Sequence, residues 1–295
     1  MSSDLLKGES PKIIALILLG WTLFSFADAN TKNLAETFNP SFLTAFVAGF
    51  NAIIVAVIIA VKEGPSGFKW HSPKLCFARI VCTGFISLGV VQSLARIPIA
   101  DMYGITFTSP FLSVVFAYFL LKEQVGWHRW LCVILGFTGV FILVGPQFKD
   151  FNSGLLYATF AMIFMALNTI VLRKAGKCES TLNLVLLAFI GMFCINFYFA
   201  WGDFVWLDLQ QSSLFILNAL LVLAAISLTT YSLSHANNTA SVAPFLYVQA
   251  IWGVLFGLFF FNNVPTATTY AGLAIVISAG LYMMYRERLL NKGSA

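Results

Sequence analysis

Long apolar runs, each close to twenty residues, alternate with short polar breaks along the whole chain. A run of that length, wound as a helix, matches the hydrocarbon core of a bilayer. Ten spans are predicted: 12–33, 41–61, 76–96, 100–121 and 127–146, then 153–174, 181–201, 214–235, 239–261 and 267–286. The breaks carry turn residues, among them Asn39-Pro40, Gly64-Pro65-Ser66-Gly67, Gly145-Pro146 and Asn262-Asn263-Val264-Pro265.

The runs fall into two sets of five, and the sets echo each other 140 residues apart. Ile86-Ser87-Leu88 returns as Ile226-Ser227-Leu228, and Phe24, Ala100, Val114 and Phe119 meet Phe164, Ala240, Val254 and Phe259. Five is odd, so a second copy must enter the membrane from the opposite side. The expectation is an all-α membrane protein of ten transmembrane helices in two inverted five-helix repeats, the layout of alternating-access carriers. Residues 1–146 form the first repeat, 153–286 the second, and 287–295 a cytoplasmic tail.

Composition agrees with the class. The chain of 295 residues is 59% hydrophobic, 16% aromatic and only 10% charged, against about 25% charged in soluble domains. The polar start and the apolar run from Ile13, with no small-residue cleavage site, predict no cleavable leader. The five cysteines, Cys76, Cys82, Cys132, Cys178 and Cys194, form no metal-type pair and are expected as structural thiols.

A net charge of +5 could suggest nucleic acid, but its distribution argues for membrane orientation instead. With the N-terminus in the cytoplasm, fourteen Lys or Arg fall inside, Arg79 among them, and three (Lys32, Arg96 and Lys149) fall outside. Both termini are therefore predicted cytoplasmic. The loop after span 1 is poor in bases, whereas its counterpart after span 6 holds Arg173, Lys174 and Lys177, as inversion requires.

Ionisable and polar groups inside spans are the candidate site, because a bilayer tolerates them only with a partner or a cavity. Trp21, Ser25, Asp28 and Lys32 share one face of span 1. Asp28 corresponds to Asn168, and the two are expected to meet near the pseudo-symmetry axis; the bland alternative pairs Asp28 with Lys32. At the junction of spans 3 and 4, Gln92 and Arg96 lie one turn apart and Asp101 opens span 4. That reads as an Arg96–Asp101 clasp, with a gating role as the alternative. Span 4 continues through Tyr103, Phe107 and Ser109 to a kinking Pro110. Tyr247 and Gln249 are the counterparts of Phe107 and Ser109, and Trp252 lies just beyond. Aromatic rings beside polar groups suit a flat or cationic ligand. Span 8 adds Tyr231 to the candidates and ends at His235, read as an interfacial histidine or a proton carrier. Gly253 and Gly257, with Ser113 and Ala117 as counterparts, are expected where helices pack closely.

No phosphate-binding loop, HExxH zinc motif, acid pair or nucleophile elbow is present, so ATP-driven transport is not expected and a membrane enzyme on lipid-linked substrates is disfavoured. No catalytic residue, cofactor or metal is expected.

The stretch Ser93–Pro146 resembles the EamA domain of the drug/metabolite transporter superfamily. The resemblance rests on Pro98-Ile99-Ala100-Asp101, on Phe107-Thr108-Ser109-Pro110, on the Lys122-Glu123 exit, and on Gly136 and Gly139 ahead of Gly145-Pro146. The second copy departs from it, with Asn262-Asn263 in place of Lys122-Glu123. The resemblance implies secondary transport through a cavity lined by spans 1, 3, 4, 6, 8 and 9. Within the superfamily, the 100–110 segment is most similar to bacterial S-adenosylmethionine uptake carriers, while related members carry riboflavin, amino acids or choline. The expected partners are a small cationic or zwitterionic metabolite and the bilayer of a bacterial inner membrane. A homodimer is allowed, and nucleic acid is not expected.

Overall fold

Proline, asparagine and serine set where the helices begin. Asn39 caps α2, accepting from the Ser41 amide at 2.8 Å, and Asn152 caps α7 through the Gly154 amide at 2.8 Å. Proline opens α1, α2 and α3, where its missing N–H costs nothing. The computed structural model describes residues 10–122, 125–145, 152–203, 205–235 and 243–292, without the side chains of 121, 243, 244, 284 and 287–292. The start of span 9 with Ala240, the linker over 147–151, Glu123, and residues 293–295 of the tail lie outside it.

Within those residues the helices are α1 (Pro11–Leu34), α2 (Pro40–Lys62), α3 (Pro73–Leu94), α4 (Ile99–Thr106), α5 (Ser109–Leu121), α6 (Trp127–Val144), α7 (Ser153–Ala175), α8 (Thr181–Phe199), α9 (Leu209–His235), α10 (Val248–Phe260) and α11 (Ala267–Lys292). The described residues contain no strand. Eight helical stretches are long and apolar enough to cross a bilayer, counting Ile99–Leu120 as one, and two shorter apolar helices follow, Phe245–Phe260 and Ala267–Met283. The chain is an all-helical, multi-pass membrane protein.

Three expectations change. Span 4 is two helices, because Pro110 cannot donate to the preceding turn and the chain yields at Phe107 and Thr108. Thr106 and Thr108 hydroxyls donate to the Met102 and Ile105 carbonyls at 3.0 and 2.6 Å, meeting some of the backbone's needs around the break. Span 9 begins, among its described residues, with a 3-10 turn over Ala243–Tyr247 that runs into α10. The supposed tail is helical as far as Lys292, continuing α11.

Backbone features recur at a fixed interval. Phe107, which ends α4, and Tyr247, which precedes α10, are 140 apart in sequence. Lys122 (φ 54°) and Asn262 (φ 50°) are the non-glycine residues with positive φ among the described residues, and they have the same spacing. Such a conformation suits Asn and costs energy for Lys, so the matching backbone is not an accident of residue type.

The most extensive packing joins α3 with α7, α6 with α11, α1 with α9, α3 with α8, and α2 with α8. In α6 and α11 the backbones meet at glycine: a Cβ on Gly272 would lie 2.6 Å from the Gly139 carbonyl. The largest buried cluster gathers Tyr103, Phe107, Phe111, Leu143, Tyr247 and Phe256, and so sits where spans 4 and 9 meet α6 and α11.

Candidate functional site

Because α1 runs on to Leu34, Asp28 lies about 9 Å from its end. A carboxylate at that depth needs a donor. It accepts from the Tyr103 hydroxyl of α4 at 2.7 Å. The Ser25 and Gln249 side chains also interact with that hydroxyl, so α1, α4 and α10 converge on one phenol.

Aromatic rings extend the site. Phe107 stacks on Tyr103 with centroids 5.6 Å apart, and Tyr247 meets Phe107 edge-on at 5.3 Å. Gly253 lets α10 approach α4, since a Cβ there would lie 2.7 Å from the Tyr103 ring. Trp252 donates from Nε1 to Thr22 of α1 at 3.3 Å and packs on Phe26 and Phe256. The indole Nε1 of Trp21 is buried without a hydrogen-bond partner, on the Asp28 face of α1. Ser109, buried, opens α5 just past the break.

Lys32 does not pair with Asp28. Its ammonium donates to the Leu94 and Ile97 carbonyls at 2.7 and 2.8 Å and lies 5.6 Å from the Phe261 ring centroid. The end of α3 leaves carbonyls without intrahelical donors, and its dipole favours a cation there. This base is therefore a helix cap, joining α1 to the α3–α4 corner and to the end of α10.

The Arg96–Asp101 clasp is replaced as well. Arg96 donates to the Gln92 carbonyl at 2.7 Å and to the Gln92 side chain, and lies over Tyr157 of α7. Gln92 in turn donates to Ser41 at 2.9 Å. Asp101 accepts from Thr269 of α11 at 2.9 Å. Closing its own turn costs Arg96 less order than reaching round the Pro98 corner.

Asn168 and Tyr231 stand apart from the Asp28 cluster. Asn168 accepts from Arg79 at 2.9 Å, and Tyr231 stacks on His235 at the end of α9 with centroids 4.2 Å apart. Of the small residues, Ser113 packs on the Ala166 carbonyl of α7 at 3.3 Å and Ala117 is buried. Gly257 closes its own helix, its carbonyl accepting from the Asn263 amide at 2.8 Å. The two small pairs therefore serve different neighbours rather than one shared interface.

Two charged residues were missed. Arg79, counted as an end-of-span base, is 3% exposed inside α3 and also donates to the Leu184 carbonyl of α8 at 3.2 Å. Its place inside the predicted span 76–96 was the available signal. Glu179 is buried between α7 and α8, accepting from the Ser72 amide at 2.7 Å, Asn183 at 2.9 Å and Cys76 at 3.3 Å. Burial pushes its pKa up, but these bonds outweigh it and hold the carboxyl below the usual range. No local sequence signal announced that.

A broken span 4, an acid within α1 held by a phenol, and aromatic rings between helices give this multi-pass membrane protein a polar centre inside its bundle. Residues 11–145, a little under half of the chain, match the EamA-like transporter family. The S-adenosylmethionine uptake transporter of Rickettsia bellii is 27% identical over 278 residues, covering 92% of this chain and 94% of that protein. The riboflavin transporter of Rhizobium johnstonii is 26% identical over 249 residues, covering 84% and 82%. One crystal structure superposes with a TM-score of 0.65 at 14% identity over 94% of this chain and 97% of the other, so the fold is shared.

Proposed function

We propose that this chain is a secondary carrier that moves a small cationic or zwitterionic metabolite, of the S-adenosylmethionine kind, by alternating access between two inverted five-helix repeats. The observation that carries the reading is the Asp28–Tyr103 bond among the rings of Phe107, Tyr247 and Trp252. A carboxylate beside aromatic faces attracts a sulfonium or ammonium by charge and by cation–π contact. The relatives named for S-adenosylmethionine cover this chain nearly end to end.

Support for the repeats comes from positions 140 apart: Phe107 and Tyr247, just ahead of α5 and α10, and the two positive-φ residues. The packing is consistent with them, since exchanging the halves turns α3–α7 into α9–α1 and α5–α7 into α10–α1, and maps α2–α8 and α6–α11 onto themselves. Removing Arg79 from the loop count leaves the basic excess on the same side, so both termini are assigned to the cytoplasm of a bacterial inner membrane. The solute site lies between α1, α4 and α10, and the Lys32 cap closes its outer end.

A second reading has one observation in its favour: the Tyr103–Phe107 stack would also hold a flat uncharged ring, such as the one named for the riboflavin relative. One experiment separates the two. Uptake of labelled S-adenosylmethionine into proteoliposomes is measured against riboflavin and choline as competitors. Asp28→Asn is expected to cut uptake of the cation by about thirtyfold or more, the worth of a charged hydrogen bond. Wild-type uptake by Asp28→Asn would remove the acid from the mechanism, and competition by riboflavin alone would favour the flat-ring reading.

A further inference from the structure

The helices α6 and α11 pack closely at Gly139 and Gly272. Toward the start of α6 and the end of α11 they frame a groove of about 510 Å³, lined by Leu131 and Leu135 of α6 and Ala274, Ile275, Ser278 and Tyr282 of α11. From Ala274 to Tyr282 it runs for about 12 Å, close to the roughly 15 Å depth of one bilayer leaflet. Its lining is apolar apart from Ser278 and the Tyr282 hydroxyl.

One end of the groove is polar. His128 Nδ1 and the Tyr282 hydroxyl meet at 3.1 Å and bridge the two helices. Arg286 follows Tyr282 by one turn on the same stripe as Ile275, Ser278 and Ala279, and its Nε is buried without a hydrogen-bond partner. Trp127 stacks on His128 and is 67% exposed, and Tyr285 is exposed, as aromatic residues are at a membrane–water boundary. The segments 122–130 and 282–292 carry five Lys or Arg against two Glu.

We propose that this groove is a binding site for one anionic phospholipid. An acyl chain lies along Leu131, Leu135 and Ile275, and the phosphate accepts from Arg286 and from the His128–Tyr282 pair. The charge chooses the occupant. A hydrocarbon wedge takes any lipid tail, but an unmet guanidinium N–H and a basic rim at headgroup level favour a negative head. The site shares no residue with the Asp28 cluster, so it stands or falls apart from the transport reading.

The test uses the full-length protein purified in detergent. Phosphatidylglycerol and phosphatidylcholine with identical chains are added, and retained lipid is counted by native mass spectrometry beside the thermal unfolding midpoint. Phosphatidylglycerol is expected to be retained about fivefold over phosphatidylcholine for each basic group engaged, and to raise the midpoint more. Arg286→Gln should bring the two lipids toward parity, and Ala274→Phe, which fills the groove, should abolish retention of both. Helical content by circular dichroism verifies that each variant is folded. Equal retention by the wild type, retention unaffected by Ala274→Phe, or a dimer whose interface is this groove would each overturn the proposal.

Discussion

A carboxylate inside a helix bundle is costly unless something satisfies it, and at Asp28 that something is a phenol on another helix. Lys32, one turn away, serves a different need by capping α3. Lys32→Met should therefore lower stability by about 1–2 kcal/mol, read as a drop in the thermal midpoint in detergent, with Lys32→Arg recovering much of it. Glu179 carries a pH dependence whose sign is fixed by its hydrogen bonds. Its folded pKa is depressed, so its stabilisation is complete above the unfolded value of about 4.3 and is lost as pH falls through the lower folded value. Melting followed from pH 6 down to pH 3 should show that loss in the wild type and a flatter profile in Glu179→Gln. Asp28 was legible as a candidate because an acid in an apolar run is conspicuous. Arg79 was not, because counting bases at span ends assigns a base near a helix start to the loop; only the fold reveals Leu184 and Asn168 around it.

Among the elements, the broken span 4 connects backbone to site. The break at Phe107 ends α4 so that Tyr103 and Phe107 present stacked rings to α10, and Gly253 leaves room for them. Gly253→Ala should press on Tyr103 and cost about 1–2 kcal/mol. The same variant should raise the KM for uptake more than it lowers the maximal rate, since it disturbs the donor to Asp28. Helix positions were readable from hydrophobic length and from proline and asparagine at the starts. The break in span 4 was half readable, as a kink at Pro110. The 3-10 turn in span 9 has its own proline, Pro244, but it is six residues earlier in the copy than Pro110, and the apolar run around it reads as one continuous helix. The expected meeting of Asp28 with Asn168 failed for a related reason. Matched positions in two copies need not face each other when one copy supplies an arginine, Arg79, that draws its polar partner away.

For the whole molecule, alternating access requires that one end of the bundle open while the other closes. The α3–α4 corner is held at the proposed outer face by Lys32 from α1, itself over the Phe261 ring after α10, and by Asn152 at 3.2 Å ahead of α7. Joining Lys32→Cys to Ile97→Cys with a cleavable thiol cross-linker, after replacing the exposed Cys178 and Cys194, should stop uptake, and cleavage should restore it. Uptake that continues while cross-linked would mean that this end does not open.

The acceptors of the Lys32 ammonium are main-chain oxygens, and that has a consequence for how the protein tolerates change. No substitution at Leu94 or Ile97 removes a carbonyl, so an apolar exchange at either buried position keeps the tie. The whole burden of the contact falls on one side chain. Saturation mutagenesis scored by growth on the transported solute should therefore find Lys and Arg the best-tolerated residues at position 32, and apolar residues at the other two.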